Sequence, residues 1–419
     1  MGGVTGVGRG DPVTGESAHG PGSTHGGDVS SNEHRRNHDL PRANAARPLE
    51  HQHSIRTVNS LRVLWLSPWM RPLARVQTEA LRRRGVDVLL VTSDQHPESD
   101  AARDYELVLD PRFRRPATWP ATLAAWRRIR EYRPDVVIAE LLRDPRWIAL
   151  AGRAPRLHLL HDDRPKDPVE QRPVYERAVL DRWAAGSAAT AAYSGYVAAA
   201  VANQRNLASP RIRVLPLCSE LDPALVPPLV GPEGRHDFVM FGRLNPYKNV
   251  DVVLEAWQRH VAGGGWRGDD LVFIGSGEAI PPTLPKHTRW RSGSYRYCDV
   301  TTALASAKAT IVHCRRASQS LAQVVSLQLG VMPIVSTAGG LPEYQPPGCP
   351  PIAIDDIAGL AAAFDELADP VTATLRGAAA ARHYAQRFAV DWAADRLLNV
   401  LTEVLAARSP AAPTSRGAP

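Results

Sequence analysis

The stretch DFVMFGRLNPYKNVDVVLEAW, Asp237 to Trp257, holds a strand, a turn and a helix in immediate succession. Phe238 to Phe241 is a short apolar run stopped by Gly242, the pattern of a buried strand. Gly242, Asn245 and Pro246 are turn formers. From Val250 the apolar residues Val250, Val253, Leu254 and Trp257 recur at helical spacing. Between strand and helix stand Arg243 and Lys248. Lysine is scarce in this chain: of its 50 basic residues only Lys166, Lys248, Lys286 and Lys308 are lysine, so its placement in this turn asks for a reason.

The same rhythm extends in both directions. Upstream, LRVLWLS is a buried-type strand, ARVQTEALRRRG a helix closed by Gly85, and VDVLLVTS, PDVVIAE, RLHLLHDD and AATAAYS continue the alternation. A proline-containing stretch, LPLCSELDPALVPPLVGPEG, interrupts it and reads as a linker. Downstream of DFVMFG come DLVFIG, ATIVHC and VMPIVST. Apolar strands alternating with helices predict parallel sheets covered on both faces. The expected architecture is α/β: two Rossmann-like doubly wound domains with a cleft between them. The expected boundaries are a disordered tail over 1–58, a first domain over 59–216 and a second over 217–387. A C-terminal helix over 388–407 is expected to return to the first domain, followed by a tail over 408–419.

Composition narrows the function classes. Of 31 glycines ten, and of 14 histidines six, fall before residue 59, where large apolar residues are scarce, so that segment cannot offset its ordering entropy. It also lacks the apolar core of a secretory signal. A net charge of +7 admits an anionic partner, but the arginines are scattered without a run of five, which disfavours nucleic acid. Cys218, Cys298, Cys314 and Cys349 form no CxxC pair, and read as reduced thiols of a cytoplasmic protein. The longest weakly polar window, AAGSAATAAYSGYVAAAVA, is broken by Gly, Ser and Tyr and reads as strand, turn and helix. Peripheral contact with the inner membrane face stays compatible with these features.

At the carboxyl end of a strand, two cations beside turn amides and a helix N-terminus suit a pyrophosphate. A solvated basic turn is the competing reading of the spacing. GRLNPYKNVDVVLEAW resembles the donor-phosphate motif G-R-[LF]-x-x-x-K-[GN] of GT-B glycosyltransferases of the GT4-like group. ATAAYSGYVAAAVANQRNLASPRIRVLPLCSELD resembles that family's exit from its first domain, LVFIGSGE its second donor-domain strand, GVMPIVSTAGGLPEY its Gly-Gly-x-Pro-Glu loop, and LLHDD its His-Asp signature. The motifs occur in family order between about residues 60 and 400. The resemblance implies that Arg243 and Lys248, beside Gly242, clamp the donor diphosphate and that His161 points toward the sugar. It places Gly275, Gly277, Gly339 and Gly340 in the donor site, the last pair to let backbone approach the donor. GSGEAI lacks the third glycine of a dinucleotide loop, which excludes an NAD reading.

Two departures stand out. SPWMRPLAR has no glycine where the family's first-domain loop carries a pair, so acceptor contacts do not transfer. The family's E-x7-E pair, whose first glutamate contacts the donor sugar and whose second holds the ribose, is absent from HCRRASQSLAQVVSLQLGVMP. Alignment on Gly330 puts Ala317 and Val325 at those positions; alignment on Pro333 puts Ser318 and Ser326 there. Ser318, Gln319, Ser320 and Ser326 are the candidate substitutes. The implied activity is a hexosyltransferase-type glycosyltransferase, bacterial by its arginine- and alanine-rich composition. It would be metal-independent and retaining, need no cofactor, and take a nucleotide diphosphate sugar to a hydroxyl acceptor: saccharide, lipid-linked or natural product. The alternatives are an inactive nucleotide-sugar-binding relative and a sugar-nucleotide epimerase of the same architecture.

Overall fold

The computed structural model describes residues 61–98, 100–110, 116–144, 147–165, 173–205 and 212–407. The tails read over 1–58 and 408–419 lie outside the described residues. Seven strands, β1 Arg62–Ser67, β2 Asp87–Thr92, β3 Glu106–Val108, β4 Val136–Glu140, β5 Arg156–Leu160, β6 Ala189–Ala192 and β7 Ile212–Val214, form one sheet in the order β3-β2-β1-β4-β5-β6-β7. Five more, β8 Phe238–Phe241, β9 Leu271–Ile274, β10 Thr288–Arg291, β11 Ala309–Val312 and β12 Pro333–Val335, form a second in the order β10-β9-β8-β11-β12. Every pairing in both sheets is parallel.

β1 shows why these strands are apolar throughout. Val63 and Trp65 enter one core with Leu73 and Leu81 of the helix Arg71–Arg83, while Leu64 and Leu66 enter the core on the other face with Ala125 and Ile129 of the helix Trp119–Tyr132. A strand covered on both sides has no polar face. The helix Val390–Ala406, which follows the second sheet in the chain, inserts Leu397, Leu401 and Val404 into the same core as Val63 and Trp65. Arg84 ties it down through Asp391 at 2.9 Å and Asp395 at 2.5 Å.

Strand order reverses between β1 and β4 in the first sheet and between β8 and β11 in the second. At such points the helices on either side diverge and leave a crevice beyond the strand ends, the usual ligand position in open α/β sheets. Among the described residues no helix is long and apolar enough to cross a membrane.

Candidate active site

A cavity of about 550 Å³ lies between the carboxyl ends of the two sheets, within the size range of small-molecule sites. Trp69 and Met70 after β1, His96 and Glu98 after β2, Leu141 and Arg143 after β4, and His161 after β5 line it from the first sheet. The segments after β8, β9, β10 and β11 line it from the second. Both reversal points face it.

The turn after β8 is built to hold its lysine inward. Pro246 to Lys248 form a 3₁₀ turn, with the Lys248 amide donating to the Asn245 carbonyl at 2.8 Å. Asn249 then takes a left-handed conformation, φ 56°, and its side-chain amide donates to the Ile354 carbonyl at 2.7 Å. Lys248 is thereby only 5% exposed, with Nζ 3.4 Å from the Phe241 carbonyl oxygen at the end of β8. Arg243 and Gly242 line the same wall. Lys308, equally buried, is paired with Asp269 at 2.7 Å and lies outside the cavity lining.

Opposite stands His161, beneath which sequence reading missed a buried carboxylate. β4 and β5 pair with Glu140 beside Leu159, so His161, just past the end of β5, comes back over Glu140. The imidazole Nε2 lies 2.6 Å from Glu140 Oε2, and Trp65 Nε1 donates to Oε1 at 3.0 Å. Glu140 is fully buried. An ionised carboxylate only accepts, which places the imidazole proton on Nε2 and leaves Nδ1 as the other ring nitrogen. Tyr193 packs edge-on against the ring at 4.9 Å. The signal was present in PDVVIAE: a glutamate closing an otherwise apolar, buried strand.

Gln319 and Ser320 also line the cavity. Gln319 Nε2 donates across the cleft to the His161 carbonyl, and Ser320 caps the helix Leu321–Gln328 by accepting from the Gln323 amide. Gly275 lines it as well, but its lack of a side chain answers to the protein: a Cβ there would overlap the Gly242 carbonyl oxygen.

Five of the residues expected in the donor site do not line this cavity. Gly277 packs on the Leu244 carbonyl and is not part of the cavity lining. Ser326 turns away into the sheet, accepting from Thr310 Oγ1 at 2.7 Å and donating to the Ala322 carbonyl at 2.6 Å. Ser318 reaches Asp163 at 3.3 Å and, with Gly339, lines a neighbouring recess of about 210 Å³. The Gly339–Gly340 pair admits the protein's own backbone: side chains there would strike the carbonyl oxygens of Ala317 and Ser318, and Gly339 has φ 55°.

The glycine-free stretch SPWMRPLAR is anchored by buried ion pairs. Arg71 donates to Glu106 Oε2 at 2.8 Å and Arg75 to Oε1 at 2.5 Å, all three residues being buried. This ion-pair cluster fixes the helix start directly behind Trp69 and Met70. Arg143 stacks over the Trp69 ring, 5.1 Å from its centroid. Among the described residues, no three His, Cys, Asp or Glu side chains are grouped to hold a metal ion.

Residues 74–222 match the family model described as Glycosyltransferase Family 4, and residues 235–369 match Glycosyl transferases group 1. No curated protein matches the chain by sequence. Among solved structures it is similar to a sucrose-phosphate synthase from Thermosynechococcus elongatus, at 15% identity and TM-score 0.63, over 83% of this chain and 100% of that one. It is also similar to Anabaena HepE in complex with UDP and glucose, at 15% identity and TM-score 0.60, over 82% and 100%. An α,α-trehalose-phosphate synthase (UDP-forming) from Burkholderia vietnamiensis matches at 15% identity and TM-score 0.56, also over 82% and 100%. At this identity the structural likeness establishes the fold, which is GT-B.

Proposed function

This chain belongs to the GT4-like, group 1 glycosyltransferases of GT-B fold, and from that premise we propose that it moves a sugar from a nucleoside diphosphate sugar to a hydroxyl acceptor. The observation that carries the reading is the placement of Arg243 and Lys248 where the second sheet's strand order reverses, lining one cavity with His161. Breaking the bond between the anomeric carbon and the diphosphate leaves negative charge on the phosphate oxygen. A buried ammonium and a guanidinium at that point stabilise the charge more as it grows, which lowers the barrier. The acceptor oxygen bonds the anomeric carbon, and its proton passes to the departing phosphate. That same-face course gives retention and is served by these cations without a metal. His161, held by Glu140, orients the sugar through its ring nitrogen. The complex of HepE with UDP and glucose makes a uridine donor and a saccharide acceptor the first choices to assay.

The test is incubation of the purified protein with UDP-, GDP- and dTDP-sugars, with and without saccharide acceptors. Release of the nucleoside diphosphate, lost in Lys248→Ala, supports the transferase. Binding without turnover would make it a nucleotide-sugar-binding relative, and formation of an epimer would make it an epimerase.

A further inference from the structure

The helix Leu321–Gln328 carries no carboxylate, and neither Val325 nor Ser326, the two alignment positions for one, lines the cavity. Val325 is fully buried in an apolar cluster with Leu221, Phe241 and Tyr297. Ser326 is bonded to Thr310, and Gln323 donates to the Leu341 carbonyl at 3.1 Å. Next to Leu221, however, stands Glu220. It is 8% exposed, lines the cavity, and comes from the linker between the two sheets. Its Oε1 accepts from Tyr297 Oη at 2.7 Å, so the side chain is held. Its Oε2 is buried with no hydrogen-bond partner among the described residues.

We propose that Glu220 holds the ribose of the nucleotide donor, supplying from the linker the carboxylate that the helix lacks. The proposal rests on the donor reading given above. A buried acceptor without a donor is costly to keep unless a ligand completes it. A carboxylate asks for hydrogen-bond donors, and a nucleotide offers a pair of them, spaced for two oxygens, in its ribose 2′- and 3′-hydroxyls. Tyr297 fixes the angle of approach, and the side chains of Val325 and Leu221, in one cluster, put the linker alongside the helix that lacks the group. Glu98, from the first sheet, also lines the cavity and accepts from the Tyr297 amide, closing this wall from the other side.

The experiment is calorimetric titration of the full chain and of Glu220→Gln with UDP, GDP, their 2′,3′-dideoxy forms and inorganic pyrophosphate. The glutamine is isosteric and keeps an acceptor for Tyr297. Wild type is expected to prefer each ribonucleotide over its dideoxy form by about tenfold, a difference of about 1.4 kcal/mol, and Glu220→Gln to erase that preference. Pyrophosphate and the dideoxy forms should bind both proteins alike. A Glu220→Gln protein that retains the ribose preference overturns the assignment, as does equal loss of all ligands, which would mark a structural role. Loss of GDP binding alone, with the ribose preference intact, would assign Glu220 to the base and likewise overturn it. Failure of the wild type to bind any nucleotide or pyrophosphate would remove the donor reading itself and this inference with it. To separate folding from binding, Tyr297→Phe, which removes only the orienting hydroxyl, should reduce the ribose preference part-way; an unchanged preference counts against the proposal.

Discussion

The Glu343 carboxylate caps a helix that belongs to the other sheet. Its Oε2 accepts the Gly195 amide at 2.7 Å and its Oε1 the Tyr196 amide at 2.8 Å, at the start of the helix Gly195–Arg205. Ser194 completes the cap by accepting from the Val197 amide, and donates across the cleft to the Ser318 carbonyl at 3.1 Å. Negative charge at a helix N-terminus satisfies amides that the helix cannot. Glu343→Ala should therefore cost about 1 kcal/mol, read as a fall of about 2 °C in the thermal midpoint. Glu343→Gln, with one acceptor oxygen left, should lose about half as much. Unchanged melting in both would show that the cap contributes no stability.

Lys248→Ala and Arg243→Ala should each weaken transition-state stabilisation by roughly 2–4 kcal/mol. The loss should fall on kcat as well as KM, because charge on the diphosphate grows as the bond breaks. Wild-type kcat/KM in both variants would remove the phosphate-clamp assignment. Steady-state kinetics with the donor found active in the panel gives the answer.

Glu140→Gln should lower kcat by about 2 kcal/mol, roughly thirtyfold, with the fold intact. The amide keeps the size of the side chain but loses the charge that fixes the His161 tautomer. A pH–rate profile that shifts in the variant, beyond a uniform fall, separates this from simple loosening.

Acid stability should reveal the cluster behind Trp69. Burial alone would raise the Glu106 carboxyl, but hydrogen bonds from Arg75 and Arg71 hold it down at about 2. A folded-state value below the unfolded one stabilises the protein above the unfolded value near 4.5, and that stabilisation is lost as pH falls toward about 2. Its size is on the order of 2–3 kcal/mol. Glu106→Gln should show a flatter dependence of unfolding free energy on pH across this window than wild type, measured by urea titration.

Ser326→Ala should leave nucleotide affinity unchanged and cost about 1 kcal/mol of stability, since the hydroxyl bonds Thr310 inside the protein. Ser326→Glu would bury an unpaired charge at a site only 1% exposed and should unfold or strongly destabilise the chain. Thermal melting with parallel calorimetry checks both.

Most of the sheet was legible because its strands are apolar on both faces and carry no competing period. Three strands, β3, β7 and β10, are exceptions, β7 being only the three residues Ile212–Val214. Thr288–Arg291 forms β10 with the sequence TRWR, an edge strand with two arginines and an exposed face, so no apolar run marks it. Glu106–Val108 contributes three residues, too few for any period. In the site, Arg243 and Lys248 were readable because one local turn holds both. The pairing of His161 with Glu140 was not, because it arises from two neighbouring strands separated in the chain. Ser326 was named from the alignment on Pro333, which does not tell that its side chain turns into the sheet. Glu220 was passed over inside a proline-containing stretch that reads as a spacer.

The helix Val390–Ala406 has a consequence for how the molecule is born. Val63 on β1 waits for Leu397, Leu401 and Val404 to finish the core it belongs to. A ribosome making this chain therefore extends the whole second sheet before the first is sealed. During that interval the part of this core that the helix covers, beside Arg71–Arg83, β4 and β5, stays open, a surface through which nascent chains aggregate. The second sheet encloses its cluster around Phe238, Trp257 and Phe364 without that helix. The order of synthesis and the order of completion are thus opposed: the half made first is the half finished last.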